Sequence, residues 1–111
     1  MATFTKQQRL LHSTEFAAVF SDAKKISTPE WRFYVKKTDR GYPRLGLAIA
    51  KKSIRKAVGR NRIKRLARES FRQHALPSVD IVVLANRAID ELSNQQLRER
   101  LEQCWQRLMA Q

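Results

Sequence analysis

Between Lys51 and Arg72 ten basic side chains stand against a single acidic one, Glu69. On a helix turning by about 100° per residue, Asn61, Lys64, Arg65, Arg68 and Arg72 share one side. Gly59, Ile63, Leu66, Ala67, Ser70 and His74 share the opposite one. Lys64/Arg68 and Arg68/Arg72 are like-charged pairs at i,i+4, a spacing at which repulsion weakens a helix. A basic helix face that is merely solvated mixes its signs at that spacing, and this one does not. A polyanion relieves such repulsion, because phosphates pair with the cations and release counterions. The chemistry on offer is phosphate neutralisation, with Asn61 adding a group that both donates and accepts hydrogen bonds.

Other reactive groups are sparse. A protein nuclease needs clustered carboxylates around metal ions, or a positioned acid and base. Asp22-Ala23-Lys24 reads as a loop charge pair without further partners. His12 and His74 have neither metal-ligand spacing nor a carboxylate-rich context. Cys104 falls on an apolar helical stripe, where a thiol is inert packing. Glycine-rich phosphate loops are absent. The sequence therefore predicts no catalytic residue and no metal ligand in this chain.

The elements that must carry the basic face follow from periodicity. Residues 1–10 read as a loose basic lead-in. Ser13 or Thr14 caps a short helix with Glu15 near its positive end, and Phe16, Val19 and Phe20 line one side of it. Asp22 to Pro29 reads as a connector. Trp31 to Lys37 alternates Trp31, Phe33 and Val35 against Arg32, Tyr34 and Lys36, the period of a strand. After the turn Asp39 to Pro43, Arg44 to Ala50 forms a second strand. Leu45, Leu47 and Ile49 lie on one face of it, and only Gly46, Ala48 and Ala50 on the other, which lets another group approach the backbone closely. The basic helix runs from about Ala57 to His74 and Pro77 enforces its end. Val79 to Ala85 is an apolar strand buried on both faces. Asn94 to Leu108 is an amphipathic helix with Leu97, Leu101, Cys104, Trp105 and Leu108 on its stripe. This order describes an α+β domain built around one sheet.

Length and composition set the frame. At 111 residues, 42% of them hydrophobic, the chain is one globular domain spanning 1–111. Its formal charge is +13, most of it in the middle: residues 1–50 have a net charge of +5, residues 51–72 a net of +9 and residues 73–111 a net of −1. An excess so localised points to a polyanionic partner. Apolar runs are too short for a membrane span, the N-terminus lacks a secretory apolar region, and one cysteine cannot pair internally. Together these place the expected compartment in the cytoplasm, with no membrane partner.

Three stretches then identify a family. Ala50-Lys51-Lys52-Ser53, Arg60-Asn61-Arg62-Ile63-Lys64-Arg65-Leu66 and Arg68-Glu69-Ser70-Phe71-Arg72 resemble the signature of the bacterial ribonuclease P protein component. Arg9-Leu10 with Phe16 and Phe20 is similar to that family's first helix, Pro43 to Leu47 to its central strand, and Asp80 to Ala85 to its last strand. The resemblance covers nearly all of Arg9 to Leu108. It implies a four-stranded sheet with helices packed on it and a left-handed β-α-β crossover through the basic helix, an arrangement shared with the second domain of a small-subunit ribosomal protein. The general preference for right-handed crossovers would have given the opposite hand. It also implies assembly with a large catalytic RNA that removes the 5′ leader of precursor tRNA using Mg²⁺, with no dedicated cofactor on the protein and no protein partner required. Carried over by position, Lys51, Lys52, Arg60, Asn61, Arg62, Lys64, Arg65, Arg68 and Arg72 contact the catalytic RNA. Arg55 and Lys56 fall between motif elements and receive no role.

The same resemblance implies a cleft for the single-stranded leader between the first helix and the open sheet face. Phe16 and Phe20 match its aromatic helix positions. Tyr34, flanked by Arg32 and Lys36, is their partner across a flat floor of Gly46 and Ala48. Aromatic faces stack bases without reading sequence, and nearby cations meet the backbone. The i,i+4 spacing of Phe16 and Phe20 suits plain core packing equally well, and the sequence admits both. A ribosomal-type RNA-binding protein or RNA chaperone fits the composition too, but leaves the Arg-Asn-Arg signature unexplained. Helix-turn-helix DNA binding lacks its first helix, since a strand precedes Lys51 to Lys56.

Overall fold

A computed structural model describes residues 9–10, 13–86, 89 and 91–110. Its elements are α1 (Ser13–Ser21), β1 (Lys24–Ser27), β2 (Trp31–Lys37), β3 (Arg44–Ala48), α2 (Ala57–Arg72), β4 (Val79–Ala85) and α3 (Asn94–Met109). The strands form one sheet in the order β1-β2-β4-β3. β2 pairs antiparallel with both β1 and β4, whereas β3 runs parallel to β4 and reaches it through α2. The expected α+β class and four-stranded sheet are thus observed.

The alternation in β2 divides the molecule into two unequal halves. Trp31, Phe33 and Val35 are buried on the face covered by α2 and α3, where they meet Ile81 and Val83 of β4. Ile63, Leu66, Ala67 and Phe71 of α2 and Leu97, Leu101, Cys104 and Trp105 of α3 close this main core. Trp105 packs its ring 4.8 Å from that of Phe33 and donates its indole N–H to Ser70 Oγ at 2.6 Å. That bond explains a serine on an otherwise apolar stripe, since it supplies the Trp105 indole with an acceptor, which the buried Trp31 indole N–H lacks among the described residues. Ser93 opens α3 with a reciprocal capping box to Gln96. The opposite sheet face holds a smaller cluster of Leu10, Val19 and Val82 beneath α1.

Several boundaries differ from expectation. Asp22 to Pro29 is not simply a connector, because Lys24–Ser27 forms the edge strand β1. Only Ile26 of its four residues is buried, so a period-two signal never had room to appear. β3 stops at Ala48 and α2 at Arg72, each two residues early, while α3 continues one residue to Met109. Phe71, absent from the predicted stripe, is buried at its margin. Of the lead-in, residues 1–8 lie outside the described residues, as does His12. Arg9 and Leu10 are held in place: Arg9 bridges to Leu45, and the Leu10 N–H donates to the Leu45 carbonyl at 2.9 Å.

Candidate nucleic-acid interface

α2 presents its cations as the helical periodicity requires. Asn61, Arg65, Arg68 and Arg72 are exposed and, with Glu69, line a shallow open depression. Lys64 is half-buried on the flank of this ridge. Lys64 and Arg68 also line a recess with Arg9, Leu10, Phe16, Leu45 and Leu47, which joins the ridge to the α1 side of the sheet. Partial burial, then the nearby charge of Arg9, lowers the pKa of Arg68. A cation whose charged form is disfavoured this way gains from a bound anion. Lys51 and Lys52 are exposed in the turn that leaves β3.

Arg60 and Arg62 behave differently from the other expected contacts. Arg60 Nη1 donates to the carbonyls of Ile54 at 3.0 Å and Arg55 at 2.7 Å. Arg62 Nη1 donates to Asn94 Oδ1 at 2.7 Å, and both of its terminal nitrogens reach the Leu92 carbonyl at 3.3 Å. Both guanidiniums are turned toward other parts of the chain, one on each side of the ridge.

The second expected surface also divides. The register sets Tyr34, Val82 and Gly46 in one row across the sheet, and Arg32, Leu84 and Ala48 in the next. Gly46 is buried and its missing Cβ makes room for Phe16: an added Cβ would overlap Phe16 Cε1 and press on Leu10 Cβ at 2.9 Å. Gly46 is therefore not open floor, and Phe16 spends at least one edge of its ring on packing. Phe20 is 43% exposed and meets Tyr34 edge-to-face, with centroids 4.9 Å apart and planes at 79°. Lys36 Nζ donates to the Ala18 carbonyl of α1 at 3.4 Å. Arg32 is half-buried, and its Nε is buried without a hydrogen-bond partner. Half-buried Ala48 and Leu84 complete the accessible floor. Leu84 was not anticipated as floor; its signal was present in β4, whose apolar run on both faces requires one face to lie under α1.

An ion cluster at one end of this face also escaped the sequence reading. Arg44 donates from Nε and Nη2 to the two carboxylate oxygens of Asp80 at 2.9 and 2.7 Å, and from Nη1 to Glu15 of α1 at 2.8 Å. Arg40 adds a 3.2 Å contact to Asp80. The hydrogen bonds to Asp80 raise the pKa of Arg44 against the opposing pull of burial, and the charges of Asp80 and Glu15 raise it further. The cluster anchors α1 over the sheet and fixes where Phe16 and Phe20 stand. Opposite charges opening two apolar strands were its only trace in the sequence.

Comparison with known proteins points to one family. A family model described as Ribonuclease P matches residues 4–109. The chain is 47% identical over 110 residues to the ribonuclease P protein component of Legionella pneumophila (strain Corby), covering 99% of this chain and 96% of that protein. The ribonuclease P protein of Thermotoga maritima superposes with a TM-score of 0.80 at 29% identity, covering 89% of this chain and 96% of that one. That of Staphylococcus aureus gives a TM-score of 0.86 at 23% identity over 92% and 97% of the two chains, a likeness of fold.

Proposed function

The chain belongs to the ribonuclease P protein family, the RNA-binding protein subunit of that endonuclease, and we propose that it works through two surfaces joined at the Lys64–Arg68 recess. The exposed ridge of α2, with Lys51 and Lys52, holds the catalytic RNA. Phe20 and Tyr34, bordered by Arg32, Lys36, Ala48 and the free edge of Phe16, hold the single-stranded leader of precursor tRNA. The observation that carries this reading is the ridge: Arg65, Arg68 and Arg72 stand exposed in file with no arginine or lysine of the file turned to a carboxylate partner among the described contacts.

The protein's part in the reaction is then to bind and orient. Stacking on Phe20 and Tyr34 restrains the leader near its junction with the tRNA, and backbone phosphates meet the cations beside them. Cleavage chemistry belongs to the RNA, and any Mg²⁺ it needs would be held there. The residues described here do not fit a Mg²⁺ site: the carboxylates of Asp80 and Glu15 both bind Arg44, and no group of three described His, Cys, Asp or Glu side chains converges. No described helix is long and apolar enough to cross a membrane, and the cytoplasm, where precursor tRNA is made, is the compartment this role requires.

Reconstitution tests the proposal. Catalytic RNA with this protein should remove the leader at low Mg²⁺, while the protein alone should leave precursor tRNA intact. Equal or tighter binding to ribosomal RNA, with no stimulation of cleavage, would favour the ribosomal-type alternative.

A further inference from the structure

The Arg-Asn-Arg signature combines two tasks. We infer that Arg60 and Arg62 are positioning residues that clamp the ridge from its two sides, while Asn61, with Arg65 and Arg68, is the part that meets RNA. The inference rests on the reading of α2 as the surface for the catalytic RNA.

At about 100° per residue, Asn61, Arg65 and Arg68 fall within one narrow arc, with Arg60 and Arg62 each about a quarter-turn to either side of Asn61. From those positions neither guanidinium lies along the ridge. Arg60 reaches back to the Ile54 and Arg55 carbonyls, within the segment that carries Lys51, Lys52, Arg55 and Lys56. α2 needs such a hold at this end. Its N-cap, Lys56, makes no side-chain capping bond, and its first turn contains no acidic residue. Cations crowd the positive end of the helix dipole instead, which disfavours the first turn. Arg60 counters this by fastening the preceding loop to that turn through two charge-assisted bonds.

Arg62 does the same on the other side. Its bonds to the Leu92 carbonyl and Asn94 Oδ1 tie α2 to the segment where α3 begins, which the Ser93–Gln96 capping box already stiffens. The planar fork that spans two acceptors is particular to arginine; a lysine keeps the charge and loses the geometry. The two arginines thus set the tilt and height of the ridge on which Asn61, Arg65 and Arg68 are spaced.

The test separates geometry from charge. Affinity for the catalytic RNA is measured against salt for Arg60→Lys, Arg62→Lys, Arg65→Lys and Arg65→Ala, with hydrogen exchange on the free proteins. Arg62→Lys and Arg60→Lys should each bind about tenfold more weakly at an unchanged salt slope, whereas Arg65→Lys should bind nearly as the parent does. Exchange should quicken at Leu92–Asn94 in Arg62→Lys and at Ile54–Lys56 in Arg60→Lys. Asn94→Ala, which leaves the signature untouched, should weaken binding and be non-additive with Arg62→Lys, as expected of one shared contact. Parent-like affinity in both lysine variants, or full additivity of Asn94→Ala with Arg62→Lys, overturns the inference. Failure of the RNA reading itself looks different: Arg65→Ala would then bind as tightly as the parent, while the exchange results would stand.

Discussion

Position 46 accepts glycine for a measurable reason. Phe16 Cε1 occupies the space of its missing Cβ, so Gly46→Ala must push the Phe16 ring or the Leu10 side chain aside. Overpacking of this kind costs roughly 1–3 kcal/mol; thermal unfolding should show that loss, and Phe16→Ala in the same chain should recover part of it. An unchanged melting temperature would mean that Phe16 does not rest on β3. Along α2, Arg65→Ala and Arg68→Ala should each flatten the salt dependence of RNA affinity by about one unit, from a starting slope near −4 if about five phosphates are neutralised. Asn61→Ala should lose affinity with little change in slope, since an amide contributes hydrogen bonds and no charge. Cys104 belongs to the core: burial, the leading influence, pushes its thiol up to about 11. Because the raised value favours the neutral thiol in the fold, this group's stabilisation persists at neutral pH and fades only as pH climbs toward that value. Iodoacetamide at pH 8 should therefore label Cys104 no faster than the protein unfolds.

Among the elements, α1 depends most on a single contact set. Removing Arg44 leaves Asp80, buried in β4, with Arg40 as its one charged partner among the described residues, and the Arg40 side chain is 40% exposed. Breaking a buried pair from one side costs about 3–5 kcal/mol, so Arg44→Met should destabilise strongly and release α1, whereas Arg40→Ala should cost under about 1 kcal/mol. Chemical denaturation of the two variants compares them directly. This cluster also marks where sequence reasoning stopped. β2, α2 and α3 were legible because each repeats its apolar residues at one clean period over seven or more positions, and β4 because its apolar run is unbroken from Ile81 to Ala85. β1 was not, since an edge strand of four residues with one buried side chain has no period to read. The ridge was legible in the same way, from residues three and four apart on one helix. The partners of Arg44 and Arg62 were not, because Asp80 and Asn94 lie 36 and 32 residues away and only the fold brings them near. Those of Arg60 are close in the chain, but they are backbone carbonyls, which leave no mark in the residue types. Phe16 and Phe20, equivalent by spacing, were separated by what lies beneath each: Phe16 packs against Gly46 and Phe20 meets Tyr34.

At the scale of the whole molecule, a protein of +13 that binds both catalytic RNA and precursor tRNA, as proposed, would stand between two polyanions that repel each other. Its benefit to substrate binding should shrink at high salt and high Mg²⁺, where screening does the same work. The charge is not spread evenly: the ridge and the leader face adjoin at the recess shared by Arg9, Phe16, Lys64 and Arg68, while α3, on the far side of α2, belongs to a segment with a net charge of −1. One molecule can thus touch catalytic RNA and leader together, which is the central claim. The measurement that tests it most directly is the affinity of the reconstituted holoenzyme for precursor tRNA and for mature tRNA, in the parent and in Phe20→Ala and Tyr34→Ala. Each variant should lose roughly 1–3 kcal/mol toward the precursor for each base unstacked, with binding of leaderless tRNA and the melting temperature unchanged. Equal weakening toward both RNAs would contradict the claim.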